Sequence, residues 1–172
     1  MWTAVSLWVF NRCESKRMAW LIGAQLVGAF LAGAMIRLTF DTELLGIAHL
    51  GTPHVSRLSY AELTQATLFG ATGIELVLTF FMAFAIFAAV NDRVAACTGG
   101  ALLTASVLVS FPVTGAGLNP ARWFGTVFWE NWLVGSVLGR RPFDDALVYL
   151  AGPILGALLA GAFTFLVYAP KK

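Results

Sequence analysis

The chain has 172 residues, of which 59% are hydrophobic and 12% are charged, and its formal net charge is +2. The charged share is about half that of an average soluble protein. Polar side chains are therefore too few to cover a globule of this size, and membrane lipid must cover much of its surface. The small net charge argues against a nucleic-acid partner. Cys13 and Cys97 lie far apart, beside or within apolar runs, which predicts two buried thiols and no disulfide framework.

The apolar segments, taken in chain order, are of two lengths. Two stretches, residues 2–10 and 120–133, are too short to cross a bilayer and are predicted to be re-entrant half-helices. Four others reach the roughly 20 helical residues that a crossing needs. These four cover residues 18–36, 68–90, 94–111 and 146–168. The sequence therefore predicts an all-α integral membrane protein.

We expect residues 1–172 to form a single transmembrane domain. Its predicted parts, in order, are the first half-helix and loop at 2–17, three spans within 18–113, the second half-helix at 114–133 and the last span at 146–168.

The linker over residues 41–65 holds both histidines of the chain, His49 and His54, in a polar context punctuated by glycine and proline. A metal site is one interpretation of such a pair, but nothing else in the sequence supports it. We therefore expect a solvated extracellular loop and no bound metal.

Lysine and arginine residues in short loops indicate orientation, because they are enriched on the cytoplasmic side. If the chain crosses the membrane four times, six of these residues lie on the same side, which is predicted to be cytoplasmic: Arg12, Lys16, Arg17, Arg93, Lys171 and Lys172. The predicted outer side receives Arg57, Arg140 and Arg141. Both termini are therefore expected in the cytoplasm, below a plasma (inner) membrane.

A short motif occurs twice, as GAFLAGA at residues 28–34 and GALLAGA at residues 156–162. Each copy lies in a spanning segment that follows a short apolar stretch and a charged linker. Since the copies start from opposite faces of the membrane, the pattern predicts an inverted repeat. Chance recurrence of Gly, Ala and Leu in membrane helices is the alternative. The glycines predicted to allow close helix packing are Gly28, Gly33, Gly152 and Gly156.

The third span leads into the sequence TGAGLNPARWFG at residues 114–125. Asparagine is a good N-cap and proline is favoured at the first helical position, so Asn119-Pro120 should begin a new helix. Its glycines permit a tight turn back into the membrane. Because this helix is too short to span, its N-terminus should lie deep in the bilayer, with free N–H groups and a partial positive charge. Arg122 adds a full charge there, which indicates a polar pathway.

The same stretch resembles the second Asn-Pro-Ala signature of the aquaporin (major intrinsic protein) family, including the arginine that follows it. AQLVGAFLAG resembles the family's third helix, GIELVLTFFMAFAIFAAVND its fourth and YLAGPILGALLAG its sixth. The resemblance covers essentially the whole chain. It implies a right-handed helical bundle with an inverted repeat, and a passive channel for water or small neutral solutes such as glycerol, without a cofactor.

The resemblance also implies roles for the residues of the signature. Asn119 would offer its amide to passing water or solute, while Pro120 and Ala121 fix the tip of the half-helix. Arg122 would stand at the selectivity filter and donate hydrogen bonds to neutral solutes. Together with the half-helix dipole, it would oppose cations and protons.

Two further filter positions fall on Ala116 and Val107. Water-selective members usually carry histidine at the Val107 position, so the resemblance implies a wider, more apolar filter that admits glycerol-sized molecules. Tyr149-Leu150 replaces a Phe-Trp pair common in water-selective members, and the combination is closer to glycerol-permeable and nodulin-type members. Trp123 departs from both groups, and its bulk is expected beside the filter arginine.

The first part of the family pattern has no counterpart in this chain. A complete member has six spans and two half-helices, whereas four spans are found here. Residues 2–7 read WTAVSL and align with the first signature, but Trp2-Thr3 stands where Asn-Pro is expected. The resemblance therefore predicts a channel truncated at its N-terminus, which in complete form assembles as a homotetramer. A chain that folds differently and needs a partner to complete the pore is the alternative.

The polar residues within the predicted spans help to distinguish a channel from a secondary transporter. The resemblance implies that Glu75 accepts hydrogen bonds from the re-entrant backbone, with a proton relay as the alternative, and that Gln25 is a further structural support. A secondary transporter needs carboxylates for its coupling ions, and Glu75 stands alone within the spans. A non-conducting fragment or subunit is a further alternative. An enzyme is disfavoured, because we recognise no catalytic set, metal cluster or phosphate loop.

Overall fold

A computed structural model describes residues 1–55, 64–135 and 141–168. Within these residues the chain is helical and contains no strand. The α-helices, in order, are α1 Trp2–Val9, α2 Ser15–Thr39, α3 Thr42–Ala48, α4 Gln65–Phe87, α5 Asp92–Thr114, α6 Pro120–Leu133 and α7 Ala146–Tyr168. A 3-10 turn at His49–Gly51 follows α3. The predicted all-α fold is confirmed.

Four of the helices, α2, α4, α5 and α7, are long and apolar enough to cross a membrane, with mean hydropathies of 1.8 to 2.1. Within the described residues, the number and order of the predicted spans are confirmed. In α2 the helix extends about one turn beyond the apolar run at each end, from Ser15 to Thr39. The extra turns carry the polar and charged residues expected where a helix leaves the hydrocarbon.

Helices α4 and α7 pack with their backbones in contact, because α7 presents two glycines to α4. A Cβ atom at Gly152 would lie 2.8 Å from Cβ of Glu75 and 3.0 Å from the carbonyl oxygen of Thr72. A Cβ atom at Gly156 would lie 3.0 Å from the backbone nitrogen of Phe80. Any larger side chain would therefore separate the two helices.

The two copies of the Gly-rich motif pack in an equivalent way on the short helices. In α2, a Cβ at Gly33 would lie 2.8 Å from the carbonyl oxygen of Gly125 in α6. In α7, a Cβ at Gly161 would lie 2.7 Å from the hydroxyl of Ser6 in α1. Each spanning helix of one copy thus packs on the half-helix of the other copy. This exchange supports the inverted repeat.

The predicted packing role of Gly28 is wrong for the part of the chain that the structure describes. Gly28 is exposed, and a Cβ atom there would meet nothing within 4 Å. The reason is geometric: five positions separate Gly28 from Gly33, which places them about 140° apart around a helix with 3.6 residues per turn. Gly152 and Gly156, four positions apart, share a face.

Other expectations also need correction. Cys13 is half-buried and Cys97 is exposed, so neither thiol is buried as predicted, although both are free. The described part of the 41–65 linker is folded: Asp41 caps α3 by accepting a hydrogen bond from the backbone nitrogen of Leu44 at 2.8 Å. Buried apolar side chains, including Val55, then hold it against the bundle. Four residues of the orientation argument lie outside the described residues: Arg57, Arg140, Lys171 and Lys172.

The glycine contacts predict that Gly156→Leu disrupts the pairing of α4 with α7. Overpacking a well-packed contact costs about 1–3 kcal/mol, and more is expected where the obstacle is backbone. Gly28→Leu introduces the same side chain at an open surface and should change stability by only about 0.5 kcal/mol. Thermal unfolding of both variants in detergent checks this. Equal unfolding midpoints for the two variants would contradict the packing described here.

Candidate functional site

The candidate site is the turn between α5 and α6, where the chain reverses in the interior of the bundle. Three of its residues have left-handed backbone: Gly115 (φ 69°), Ala116 (φ 51°) and Leu118 (φ 52°). For residues other than glycine this conformation costs roughly 1–2 kcal/mol each. Ala116 and Leu118 are also almost fully buried. Surrounding contacts must therefore hold this turn in place.

Glu75, from the middle of α4, supplies the main contacts. Its carboxylate is fully buried. One oxygen accepts hydrogen bonds from the hydroxyl of Thr114 at 2.7 Å and the backbone nitrogen of Gly117 at 3.0 Å. The other accepts from the backbone nitrogen of Leu118 at 2.6 Å. The hydrogen bonds that the sequence predicted for Glu75 are present, and they satisfy amides that no water could reach.

The carbonyl oxygens of the same turn face Arg122. Its Nη1 donates to the carbonyl oxygen of Ala116 and lies 3.4 Å from that of Gly117. The turn therefore directs amides toward Glu75 and carbonyls toward the arginine. Arg122 as a residue is exposed in the described chain, and its guanidinium carries five N–H donors.

Helix α6 begins at Pro120, as the sequence predicted. The side-chain oxygen of Asn119 accepts a hydrogen bond from the backbone nitrogen of Ala121 at 3.1 Å and so caps the helix. Pro120 and Ala121 are buried, which places the tip inside the bundle. The helix has 14 residues, a length of about 21 Å at 1.5 Å per residue, against roughly 30 Å for the hydrocarbon core.

The start of α1 lies beside the start of α6. The backbone nitrogen of Met1 is 3.2 Å from the side-chain oxygen of Asn119 and also donates to the side-chain oxygen of Gln25. Gln25 thus joins α2 to the point where the two short helices meet. Trp2, the first residue of α1, is buried.

The side chain of Trp123 packs against the last spanning helix. Trp123 is only 1% exposed and stacks on Tyr149 of α7, with ring centroids 5.7 Å apart and planes 17° from parallel. The Tyr149 hydroxyl donates to the carbonyl oxygen of Thr114 at 2.6 Å and so supports the turn.

Val107 of α5 packs against the buried apolar cluster that includes Ala116. Ala116 is joined to Arg122 by a hydrogen bond.

A cavity of about 660 Å³ opens at the end of the bundle where α4 and α7 finish and α5 begins. Thr3 and Ser6 of α1 line it, together with Arg12 and Asp92 nearer the surface. The cavity reaches from α1 to the side that the sequence predicts to be cytoplasmic. It is wide enough and polar enough to hold water.

The opposite end carries a cluster that the sequence did not predict. We call it the outer clamp: His49, His54, Glu130 and Asp145. His54 lies between two carboxylates, with Nε2 2.6 Å from Glu130 Oε2 and Nδ1 3.1 Å from Asp145 Oδ2. Nδ1 of His49 lies 2.9 Å from the other oxygen of Glu130. One signal in the sequence could have indicated this cluster: Glu130 is a charged residue in a short apolar helix.

The clamp shifts the titration of its members. Burial lowers the pKa of His54, but its hydrogen bonds and attraction to Asp145 and Glu130 outweigh burial and raise that pKa from 6.5 to about 9. Burial raises the pKa of Glu130, but its hydrogen bonds to both histidines and the charge of His54 lower it to about 2. His54 is therefore a cation, and Glu130 an anion, at neutral pH.

Comparison with known proteins finds a matching family model and similar sequences. The family model described as major intrinsic protein matches residues 3–165. The chain is 30% identical over 162 residues to a probable aquaporin NIP-type from Nicotiana alata, covering 91% of this chain and 52% of that protein. It is 34% identical over 175 residues to aquaporin-5 from Homo sapiens, covering 98% and 59% respectively. The chain thus spans about half the length of these curated relatives.

Among solved structures, the fold is similar to the X-ray structure of the aquaglyceroporin from Plasmodium falciparum. The TM-score is 0.71 at 22% sequence identity, and the match covers 98% of this chain and 72% of that one.

The raised pKa of His54 predicts that stability falls as pH rises from about 6.5 to about 9. A group whose pKa is higher in the folded state stabilises fully below its unfolded pKa, and the effect is lost as pH rises through the folded pKa. A difference of this size is on the order of 3 kcal/mol. Melting temperatures in detergent across this window test it.

The control for that titration is His54→Gln, which removes the ionisable ring. The difference in melting temperature between the two proteins should shrink as pH rises. A difference that stays constant from about pH 6 to about pH 9.5 would contradict the assigned pKa.

Proposed function

The chain belongs to the major intrinsic protein family, and we propose that it forms a passive membrane channel for water and small neutral solutes such as glycerol. The observation that carries the proposal is the turn over residues 115–118. Its Ala116 carbonyl accepts a hydrogen bond from the Arg122 guanidinium, while Glu75 binds the amides of Gly117 and Leu118.

Such a turn suits a neutral solute that gives up water to enter the membrane. A hydroxyl group needs one acceptor and one donor when it leaves water. The carbonyls of the turn are acceptors, and the free N–H groups of Arg122 and the side-chain amide of Asn119 are donors. Val107 would form an apolar wall for the carbon side of a polyol.

Ions would be excluded by the same elements. The N-terminus of α6 carries a partial positive charge, to which Arg122 adds a full one. A cation at this point meets repulsion and finds no carboxylate to replace its water, because the carboxylate of Glu75 is occupied by three donors. That occupation also counts against a proton relay or a secondary transporter.

Glycerol-sized solutes fit the filter that we propose. Ala116 is small and Val107 takes the position of a histidine in water-selective members. Trp123 is buried and stacks on Tyr149. The similarity to a protein named as a NIP-type aquaporin is consistent with this choice.

The chain is a multi-pass integral membrane protein, and we further propose that it resides in the plasma (inner) membrane with Arg12, Lys16, Arg17 and Arg93 on the cytoplasmic side. A homotetramer is the proposed assembly of the whole channel. One alternative keeps support: a fragment or subunit that conducts only with a partner. The exposure of Arg122 in the described chain favours it.

Reconstitution into liposomes tests the proposed function. Vesicles that hold the 172-residue chain should shrink faster than empty vesicles after an osmotic step, in both sucrose and glycerol gradients. Arg122→Ala should keep water flux and raise the proton leak about tenfold or more, because it removes the full charge at the filter. A pH-sensitive dye inside the vesicles measures that leak.

The matched control is Arg141→Ala, which removes an arginine whose side chain is 80% exposed and paired with Asp144 outside the filter. It should behave as the wild type. Folded wild-type protein that shrinks vesicles no faster than empty ones would overturn the proposal and leave the partner-dependent alternative.

A further inference from the structure

The outer clamp joins three separate parts of the chain. His54 belongs to the extended segment over residues 52–55, Glu130 to the last turn of α6, and Asp145 to the turn just before α7. Asp145 also accepts a hydrogen bond from the backbone nitrogen of Val55 at 3.0 Å. The segment is thus tied to both the half-helix and the last span.

The geometry requires His54 to be protonated. Both ring nitrogens lie within hydrogen-bond distance of carboxylate oxygens, 2.6 Å from Glu130 and 3.1 Å from Asp145. A carboxylate only accepts, so each nitrogen must carry a hydrogen, which is the imidazolium form. The side chains of Glu130 and Asp145 are at most 2% exposed and that of His54 10%, so solvent does little to weaken the contacts.

The clamped segment lies directly against the filter turn. A Cβ atom at Gly115 would lie 2.9 Å from Cα of Pro53 and 3.2 Å from the backbone nitrogen of His54. The residue after Gly115 is Ala116, whose carbonyl oxygen binds Arg122. A displacement of the segment would therefore remove the support on which the first left-handed residue of the turn rests.

We infer that His54 is a positioning residue for the filter: its imidazolium, held by Glu130 and Asp145, keeps residues 52–55 against Gly115 and so fixes the Ala116 carbonyl and Arg122. The inference rests on the proposed channel function. His54 itself touches no solute. Its charged ring, held between two carboxylates, restricts the movement of residues 52–55.

The charged groups of the outer clamp determine the pH range over which its contacts persist. The charged groups that face His54 are Glu130 from α6 and Asp145 from the turn before α7, with His49 of the 3-10 turn on the second oxygen of Glu130. Arg141 and Asp144 pair with each other nearby. With the pKa of His54 near 9 and that of Glu130 near 2, the clamp keeps its charges across the neutral range and opens only in alkaline solution.

The test compares the flux of ribitol with that of water in proteoliposomes, because their ratio reports filter geometry and not the amount of folded protein. In His54→Gln the ratio should rise about tenfold, since small misplacements of filter groups have large effects on discrimination. In the wild type it should stay constant from about pH 6 to pH 8 and rise as pH passes about 9. His54→Gln should show a high ratio at every pH.

Thr64→Ala is the structural control, because it removes the exposed N-cap that precedes α4 and should leave the ratio unchanged. The wild-type pH profile needs no variant, so the inference is decided even where His54→Gln does not fold. The inference would be overturned, and the channel function kept, by one result. In that result the wild type conducts, but the ratio of ribitol flux to water flux changes neither above pH 9 nor in folded His54→Gln. Wild-type vesicles no more permeable than empty ones would overturn the channel function and the inference with it.

Discussion

The hydrogen bonds between the Glu75 carboxylate and the amides of Gly117 and Leu118 are the constraint on which the site depends. A chain that reverses inside a membrane has no water to satisfy its backbone, so protein groups must do so. One buried carboxylate accepts both amides and a threonine hydroxyl. With the amides held on that side, the carbonyls must point the other way, toward Arg122. A single side chain in α4 therefore sets both the strained turn and the polar face that we propose as the filter.

The rest of the bundle positions that carboxylate and the turn. Gly152 brings α7 so close to α4 that its backbone passes beside Glu75. This approach also lets Tyr149 of α7 reach the carbonyl oxygen of Thr114 and lie across Gly117. Pro53 of the loop before α4 lies against Gly115. The turn is thus held from a spanning helix, from its neighbour and from a loop, which is how two left-handed residues that are not glycine are maintained.

Sequence reasoning succeeded where the signal is local. Hydropathy runs predicted the four spans, and Asn119-Pro120 predicted the start of α6, because caps and apolar lengths depend on neighbouring residues. It failed where the answer depends on tertiary contact. His54 meets partners 76 and 91 positions away, and nothing in a polar linker shows where it will fold. Glu130 was the usable hint, since a carboxylate in a short apolar helix needs a partner just as Glu75 does. Gly28 was misassigned because a repeated motif was taken for a shared face.

Amide hydrogen exchange at Gly117 and Leu118 tests the central claim most directly. Exchange would be followed by mass spectrometry of peptides covering residues 114–119, in the wild type and in Glu75→Gln, with peptides from α2 as an internal reference. The account predicts slow exchange at both amides in the wild type, and faster exchange in the variant while α2 is unchanged, because the amide nitrogen of glutamine cannot accept a hydrogen bond. Fast exchange at these amides in the folded wild type, or no change in folded Glu75→Gln, would contradict it.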